Sequence, residues 1–195
     1  MTRLLSCLLA LSAVGCAHAP PPVAAPARPN LSVYYPLAVG NQWTYLATFL
    51  GDKRVQNVEI VAEHGGYFED TQHGELAVDG YGIKDHKRYL LRSPIEPGAA
   101  WTNVVSVASV EHYVILSVGE PCSAPAGRFD ACVRVESKNR VDANTTLSAE
   151  FTFAPHVGLV KIKTVALTLG REIPQAELVL AAYHLVQGTP PTVER

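Results

Sequence analysis

The sequence predicts an all-β fold, either a single antiparallel β-sandwich or a curled, barrel-like sheet of about ten strands. From residue 31 to residue 187, short alternating or β-branched runs are separated by turn-forming pairs such as Gly65-Gly66, Pro97-Gly98 and Leu169-Gly170. Strands do not alternate with helical segments, which argues against a parallel α/β architecture. With 48% hydrophobic and 17% charged residues, the composition is that of a globular domain and excludes a disordered chain.

Residues 1–15 are predicted to be a signal peptide. Arg3 supplies a positive charge, and the apolar run that follows is about a dozen residues long, shorter than the roughly 18 to 20 needed to span a bilayer. The order Ala13-Val14-Gly15-Cys16 resembles the bacterial lipobox, which implies cleavage before Cys16 and its acylation, with palmitate among the chains. Residue 17 is Ala, which under the bacterial sorting rule implies delivery to the outer membrane, with the domain facing the periplasm. The alternative is ordinary cleavage after Ala17 or Ala19.

Residues 16–30 are predicted to be a tether between the acylated cysteine and the domain. Five prolines lie in residues 17–30, so this segment should be extended and span roughly 40 Å at about 3.1 Å per residue. The β domain then covers residues 31–187, and residues 188–195 are expected to form a flexible tail.

The strand pattern also predicts which side chains are buried. Lys161 and Lys163 alternate with apolar residues and should lie on a solvated face. The run Val114-Ile115-Leu116 is apolar at every position and predicts a central strand buried on both faces. Gln175–Leu185 fits a closing strand and one or two helical turns about equally well. The predicted strands are Gln42–Leu50, Arg54–Glu63, Tyr67–Asp70, Glu75–Val78, Arg88–Leu91, Asn103–Ser109, Glu111–Val118, Cys132–Asn139, Thr146–Phe153, Leu159–Leu169 and Ala176–Val186.

Cys122 and Cys132 are predicted to form a disulfide. In an exported chain they are the two cysteines that remain in the domain once Cys7 leaves with the signal peptide and Cys16 is acylated. The ring they close contains Pro125 and Gly127, which favour a tight turn, and the chain-entropy argument gives roughly 3 kcal/mol of stabilisation. A redox-active pair is less favoured, because the CxxC spacing is missing.

The sequence offers little support for catalysis or for a bound metal or cofactor. The seven histidines form no HxH, HxxxH or HExxH unit, and the chain has no GxSxG, GxGxxG or GxxxxGK[ST] motif. A net charge of −2 argues against nucleic-acid binding. We therefore predict no metal, no cofactor and no enzymatic activity.

Four segments together resemble a group of poorly characterised bacterial lipoproteins, some of which carry a pilus-assembly-accessory (TapB-like) label. The resemblance spans roughly residues 34–165 and implies a cell-envelope β domain, without catalytic residues. The four segments are Tyr34-Tyr35-Pro36-Leu37-Ala38-Val39-Gly40-Asn41-Gln42-Trp43-Thr44-Tyr45, Pro94-Ile95-Glu96-Pro97-Gly98-Ala99-Ala100-Trp101, Ala126-Gly127-Arg128-Phe129-Asp130-Ala131-Cys132-Val133-Arg134-Val135 and Ala154-Pro155-His156-Val157-Gly158-Leu159-Val160-Lys161.

The aromatic residues of these segments and of the neighbouring strand have two interpretations. Trp43 and Tyr45 should lie on one face of a strand, where they can fill the core of the sheet. The alternative is that aromatic side chains line a ligand cavity, and the packed core is the favoured interpretation. Gly127 and Gly158 suit backbone positions with positive φ. The aromatic candidates are Tyr35, Trp43, Tyr45, Trp101 and Phe153.

Two functions fit these observations. The first is a non-enzymatic outer-membrane lipoprotein that is held to the membrane by its lipid anchor and whose β domain binds or stabilises an envelope protein. The second is a carrier of lipid or a small hydrophobic ligand, of lipocalin-like or half-barrel type. An empty apolar volume inside the sheet would favour the carrier, and a filled core would favour the partner-binding domain.

Overall fold

The computed structural model describes residues 30–186, which form one antiparallel sheet of twelve strands preceded by a short 3-10 helix, Leu31–Tyr34. The predicted signal peptide, Cys16, the tether before Asn30 and the C-terminal tail lie outside the described residues. The strands are β1 Gln42–Phe49, β2 Asp52–His64, β3 Tyr67–Asp70, β4 Glu75–Val78, β5 Gly82–Lys84, β6 Tyr89–Arg92, β7 Ala100–Ser106, β8 Ser109–Ala124, β9 Gly127–Arg140, β10 Thr145–Ala154, β11 Gly158–Thr168 and β12 Arg171–His184.

The strand order is β6-β5-β4-β3-β2-β1-β12-β11-β10-β9-β8-β7. Every pair of sequence neighbours up to β6, and again from β7 to β12, is antiparallel, and β1 pairs with β12 to join the two halves. The sheet curls until its outer strands, β6 and β7, approach each other. This confirms the all-β prediction and selects the curled, barrel-like alternative over the sandwich.

The core lies inside this curled sheet, and alternation along the strands determines which side chains enter it. In β1 the buried residues are Trp43, Tyr45 and Ala47, while Leu46 points outward. In β11 Val160 is fully buried, Lys163 is exposed and Lys161 forms an ion pair with Glu177 at 2.8 Å. The predicted solvated face of β11 is therefore confirmed.

One prediction about a strand is wrong, and one strand was not predicted. Ile115 is buried, but Leu116 is 40% exposed, so the apolar run at 114–116 is not buried on both faces. It lies in β8, which is next to the edge strand β7, and the outer face there is covered by no second layer of the described chain. The sequence also gave no sign of β5, because three residues are too few for alternation to show.

Gln175–Leu185, for which helical turns were an alternative, lies mostly in strand β12. Its pairing with β1 continues from Gln42↔His184 to Phe49↔Ala176, apart from one register shift. This ladder links the two halves of the sheet and stabilises the extended conformation over a local helix.

The β8–β9 hairpin is long and folds back onto β12. The Ala126 N–H at its turn donates a 3.0 Å hydrogen bond to the Leu180 carbonyl. That carbonyl lies just past Val179, the last residue of β12 paired with β11. Phe129 also packs against Tyr183, with ring centroids 6.3 Å apart. The hairpin thus fills the gap where β11 and β12 separate.

The structure contains the Cys122–Cys132 disulfide across this hairpin, with a Cα–Cα distance of 6.0 Å. Cys132 is buried and Phe129 is packed against the core cluster. Gly127, at the start of β9, has φ +143°, as the sequence predicted for a position that favours glycine. The bond therefore holds the part of the hairpin that covers β12.

Replacing both cysteines with serine, Cys122→Ser and Cys132→Ser, is expected to lower the free energy of unfolding by about 3 kcal/mol, because the unfolded chain loses its ring constraint. Urea denaturation of the wild type and the double variant measures the difference. Non-reducing peptide mapping should recover the linked peptide from the wild type. Two free thiols in the purified wild-type domain would contradict the prediction.

Candidate functional site

The five aromatic residues singled out by the sequence are all buried in the core cluster. Trp43 and Phe153 are 0% exposed, and the others are at most 7% exposed. Trp43 and Tyr45 lie on the inward face of β1, as alternation predicted. The exposures of Tyr35, Tyr45 and Trp101 are 6%, 2% and 7%.

Trp43 and Tyr45 connect β1 to the β10–β11 turn. The Trp43 Nε1–H donates to the Val157 carbonyl at 2.7 Å, and the Tyr45 hydroxyl donates to the Leu159 carbonyl at 2.9 Å. A Cβ on Gly158, whose φ is +107°, would lie 3.4 Å from the Trp43 Nε1 atom. Two of the sequence segments that carried the family resemblance therefore meet, and the positive φ at Gly158 is the reason that glycine suits this position.

A second aromatic series extends from Trp101. Its ring lies 5.2 Å from Tyr113, which lies 6.2 Å from Phe151, and Phe151 lies 6.5 Å from Phe153. These distances are those of contacting aromatic rings. Together with the Trp43 cluster, this series occupies the interior of the sheet with side chains.

Two tyrosines of the core are held in the neutral form. Burial raises the pKa of Tyr35 and of Tyr45, and the negative charge of Asp70 acts in the same direction. The two phenols also share a hydrogen bond. They act as hydrogen-bonding groups of the core and are poorly suited to give up a proton.

Side chains join β6 to β7 where the two outer strands of the sheet meet. The Asn103 Oδ1 accepts from the Tyr89 N–H and its Nδ2 donates to the Tyr89 carbonyl, both at 3.1 Å. The Trp101 Nε1–H donates to the same carbonyl at 2.9 Å. We call these three residues the seam. Asn103 is 7% exposed and takes the place of a backbone ladder there.

A cavity of about 360 Å³ lies beside the seam and is rich in basic residues. Lys84 forms a 2.9 Å ion pair with Asp79, and Arg88 pairs with Asp85 and Glu111 at 2.8 and 3.1 Å. Much of the positive charge at this cavity is therefore already neutralised by the protein itself. The lining includes Tyr67, Lys84, His86, Lys87, Arg88, Tyr89, Arg92 and Asn103.

Asp79 is expected to stabilise the fold in its charged form, and this contribution should be lost at acid pH. Burial acts to raise its pKa, but hydrogen bonds from Lys84, Tyr89 and the Tyr81 and Gly82 amides outweigh burial and lower the pKa from 3.8 to about 2. Because the folded-state pKa lies below the unfolded value, this stabilisation is fully present above about pH 4 and is lost as the pH falls towards about 2. Asp79→Asn should therefore lose less stability across this range than the wild type, as measured by urea denaturation at each pH.

Lys84→Met serves as the partner variant for that measurement. It removes the ion pair but keeps the aliphatic stem, so its acid profile should fall between those of the wild type and Asp79→Asn. An Asp79→Asn profile that parallels the wild type from pH 4 to pH 2 would contradict the assignment.

An apolar groove lies on the outer face of the sheet. Leu46 and Val55 are directly paired across β1 and β2, Val179 is paired with Leu46 from β12, and Pro125 of the β8–β9 turn closes one side. Leu46 is 48% and Val55 62% exposed. The groove has a volume of about 510 Å³ and is flanked by Lys53, Arg54 and Glu177. We call it the outer groove.

Within residues 30–186, no group of three or more His, Cys, Asp or Glu side chains is arranged to hold a metal ion. The same part of the chain contains no helix long and apolar enough to cross a membrane. Most of the histidines in this range are exposed and lie near turns or at strand ends, including His64, His73, His86 and His184.

Sequence reasoning missed the seam and the outer groove. Asn103 lies in a strand that alternation predicted only from residue 103 onward, and nothing local marks an asparagine that pairs with Tyr89. The outer groove combines β1, β2, β12 and the β8–β9 turn, and only tertiary structure brings these together. The sequence did contain one signal for the outer groove. Alternation places Leu46 and Val55, two large apolar residues, on the outward face of their strands, where polar residues are expected.

Comparisons with protein-family models and with curated proteins find no match. Among solved structures, the chain is similar to a Bacteroides fragilis protein described as exported and as having a YmcC-like fold. The identity is 14% and the TM-score 0.49, over 78% of this chain and 99% of that one. It is also similar to a protein from Parabacteroides distasonis described as a lipoprotein, with 12% identity and a TM-score of 0.43 over 78% and 98% of the two chains.

Proposed function

We propose that the chain is a non-enzymatic outer-membrane lipoprotein whose β domain faces the periplasm and binds or stabilises another envelope protein. The observation that carries the proposal is the filled interior. Trp43, Phe153 and Leu180 are 0% exposed, and the aromatic series from Trp101 to Phe153 crosses the space in which a carrier would hold its ligand.

The outer groove supplies the surface on which such a partner would bind. It is concave, and Leu46 and Val55 offer apolar area that a partner can remove from water. Lys53 and Glu177 at its border provide charges of both signs for orientation. The occupant we propose is a protein segment that presents apolar side chains between polar ones.

Site-specific photocrosslinking in the native host tests this proposal. A photoreactive amino acid at position 46 and, separately, at position 55 should each give one adduct that contains the same partner. Leu116 is the matched control, because it is also an outward-facing, 40% exposed strand residue but lies on β8. The adduct should be missing at position 116 and should be lost from position 46 when Val55→Asp is introduced.

Lipid extraction of the purified lipoprotein distinguishes the alternative function. Native mass spectrometry that finds a small hydrophobic molecule bound in a one-to-one ratio, beyond the covalent acyl chains, would overturn the proposal in favour of a carrier. Adducts spread over many partners, or equally strong at position 116, would contradict the role of the outer groove.

A further inference from the structure

Several hairpin turns of the described chain lie at one end of the sheet. Phe49 at the end of β1 pairs with both Asp52 and Ala176, so the β1–β2 turn faces the same end as the start of β12, which extends five residues further to Arg171. Because all the strands are antiparallel, the β11–β12, β9–β10 and β7–β8 turns also lie there. We call this the tip end. The chain enters at the other end, where the His156 N–H donates to the Val33 carbonyl.

Each of these turns exposes a large aliphatic side chain. Leu50, Val107 and Leu169 are 77%, 107% and 79% exposed, and they are the three most exposed large apolar residues of the described chain. Val141, in the remaining turn, is 57% exposed. Single exposed apolar residues are common on protein surfaces, but these four turns are consecutive in the strand order from β7 to β2, and each carries one. The β3–β4 and β5–β6 turns, which face the same way, carry polar residues instead.

The backbone at two of these turns disfavours the residue it carries. Leu50 and Leu169 have φ of +48° and +49°, and each is followed by a glycine with positive φ, Gly51 or Gly170. Turns of this kind favour asparagine, aspartate or glycine at the first position, because a larger L-residue is strained in the left-handed region. Fold stability therefore does not account for leucine at either position, and retained strain of this kind points to a function.

The spacing of the turns favours a fluid partner over a protein. Neighbouring turns are separated by two strands, or about 10 Å along the curled sheet. A protein would need a matched cavity for each separate side chain, whereas the interfacial region of a bilayer can surround isolated apolar residues without complementary shape. The turns carry charges of both signs, among them Asp52, Asp142 and Arg171, so apolar insertion is the attraction that remains.

The chain that precedes the described residues is long enough to allow this contact. Cys16, the predicted acylation site, lies before a tether that spans roughly 40 Å when extended at about 3.1 Å per residue. Strand β11, which runs from the entry end to the Leu169 turn with its 11 residues, is about 36 Å long at about 3.3 Å per residue. An anchored chain can therefore run along the side of the sheet and leave the tip end in contact with the bilayer.

We propose that Leu50, Val107, Val141 and Leu169 form a membrane-contacting end that inserts into the surface of a lipid bilayer. This inference goes beyond the proposed partner binding, uses a different surface, and would survive failure of the crosslinking experiment at the outer groove. The occupant is the bilayer itself, and the contact needs no specific headgroup.

Fluorescence quenching of the lipidated full-length protein tests the proposal. Leu50→Trp and Leu169→Trp are each reconstituted into neutral phosphatidylcholine and phosphatidylethanolamine vesicles, with or without brominated acyl chains. Val61→Trp is the control, because Val61 is 48% exposed on the outer face of β2 and lies away from the tip end. Trp43 and Trp101 are buried, so the wild type provides the background.

The added tryptophan should be quenched several-fold more strongly by brominated chains at positions 50 and 169 than at position 61. Quenching at positions 50 and 169 that does not exceed the value at 61 would overturn the proposal. This readout requires only that the variants fold, which their near-ultraviolet circular dichroism verifies.

A double variant separates membrane contact from stability. Leu50→Asn with Leu169→Asn should raise the thermal midpoint, because asparagine suits the left-handed conformation. With Val141→Trp as reporter, the same double variant should lose most of the quenching by brominated chains, whereas Val61→Asn with Leu116→Asn should keep it. Unchanged quenching in the tip variant would contradict insertion, and a lowered midpoint would contradict the strain argument.

Discussion

Trp43→Ala is expected to lower the free energy of unfolding by about 3 to 5 kcal/mol, which is the range for removing a large buried aromatic side chain. Trp43 is fully buried, packs against Tyr35 with ring centroids 5.3 Å apart and lies against Gly158. Its Nε1–H also satisfies the Val157 carbonyl. The substitution would leave a cavity and would release the β10–β11 turn from β1. Urea denaturation measures the loss.

Trp43→Phe is the matched variant for this measurement. It keeps most of the apolar volume but removes the indole donor, so it should cost about 1 to 3 kcal/mol, the usual cost of a buried polar group without a partner. Equal and small losses for Trp43→Ala and Trp43→Phe would show that the interior is not packed around this ring. That result would also remove the main support for a filled core.

Asn103→Leu is expected to destabilise the domain by about 1 to 3 kcal/mol, because it leaves the part-buried Tyr89 N–H without its hydrogen-bond partner. The seam depends on this side chain, whose Oδ1 and Nδ2 both bond the Tyr89 backbone. Leucine has a similar volume, so cavity formation contributes little. The Trp101 Nε1–H still bonds the Tyr89 carbonyl in the variant.

Hydrogen exchange at the Tyr89 amide provides the local readout for this prediction. Exchange should accelerate in Asn103→Leu beyond what the global loss of stability requires, because the bond to that amide has been removed. Thr102→Val is the control: Thr102 is the exposed neighbour on the opposite face of β7. A Tyr89 amide equally protected in both variants would contradict closure of the sheet by Asn103.

Local patterns predicted much of the fold. Alternation in residues 42–49 identified β1 and its inward residues Trp43 and Tyr45, because one buried face imposes a two-residue period on any strand. The pattern failed at Leu116, which is apolar although its face of the sheet is exposed to solvent. It also failed at β5, which is too short to show alternation. Alternation records which residues are apolar, and an apolar residue on an uncovered face looks the same as a buried one.

The candidate surfaces were less accessible from the sequence than the core. The pair Leu169-Gly170 marked a turn, and Leu46 and Val55 fell within predicted strands, but nothing local showed which of them share a surface. The outer groove requires the β1–β12 pairing, and the tip end requires the order of all the strands. Such contacts join residues more than a hundred positions apart, which no short window of sequence contains.

The sequence by itself determined the all-β class, most of the strands, the pairing of Cys122 with Cys132 as a prediction, and an expected export signal and lipid anchor. These depend on local composition and periodicity. Only the tertiary structure decided that the sheet curls rather than forming a sandwich, that Asn103 joins its outer strands, and that exposed aliphatic residues on separate turns gather at one end. The reason is that closure and strand order arise from long-range hydrogen bonds and packing, whose energies depend on which distant segments meet.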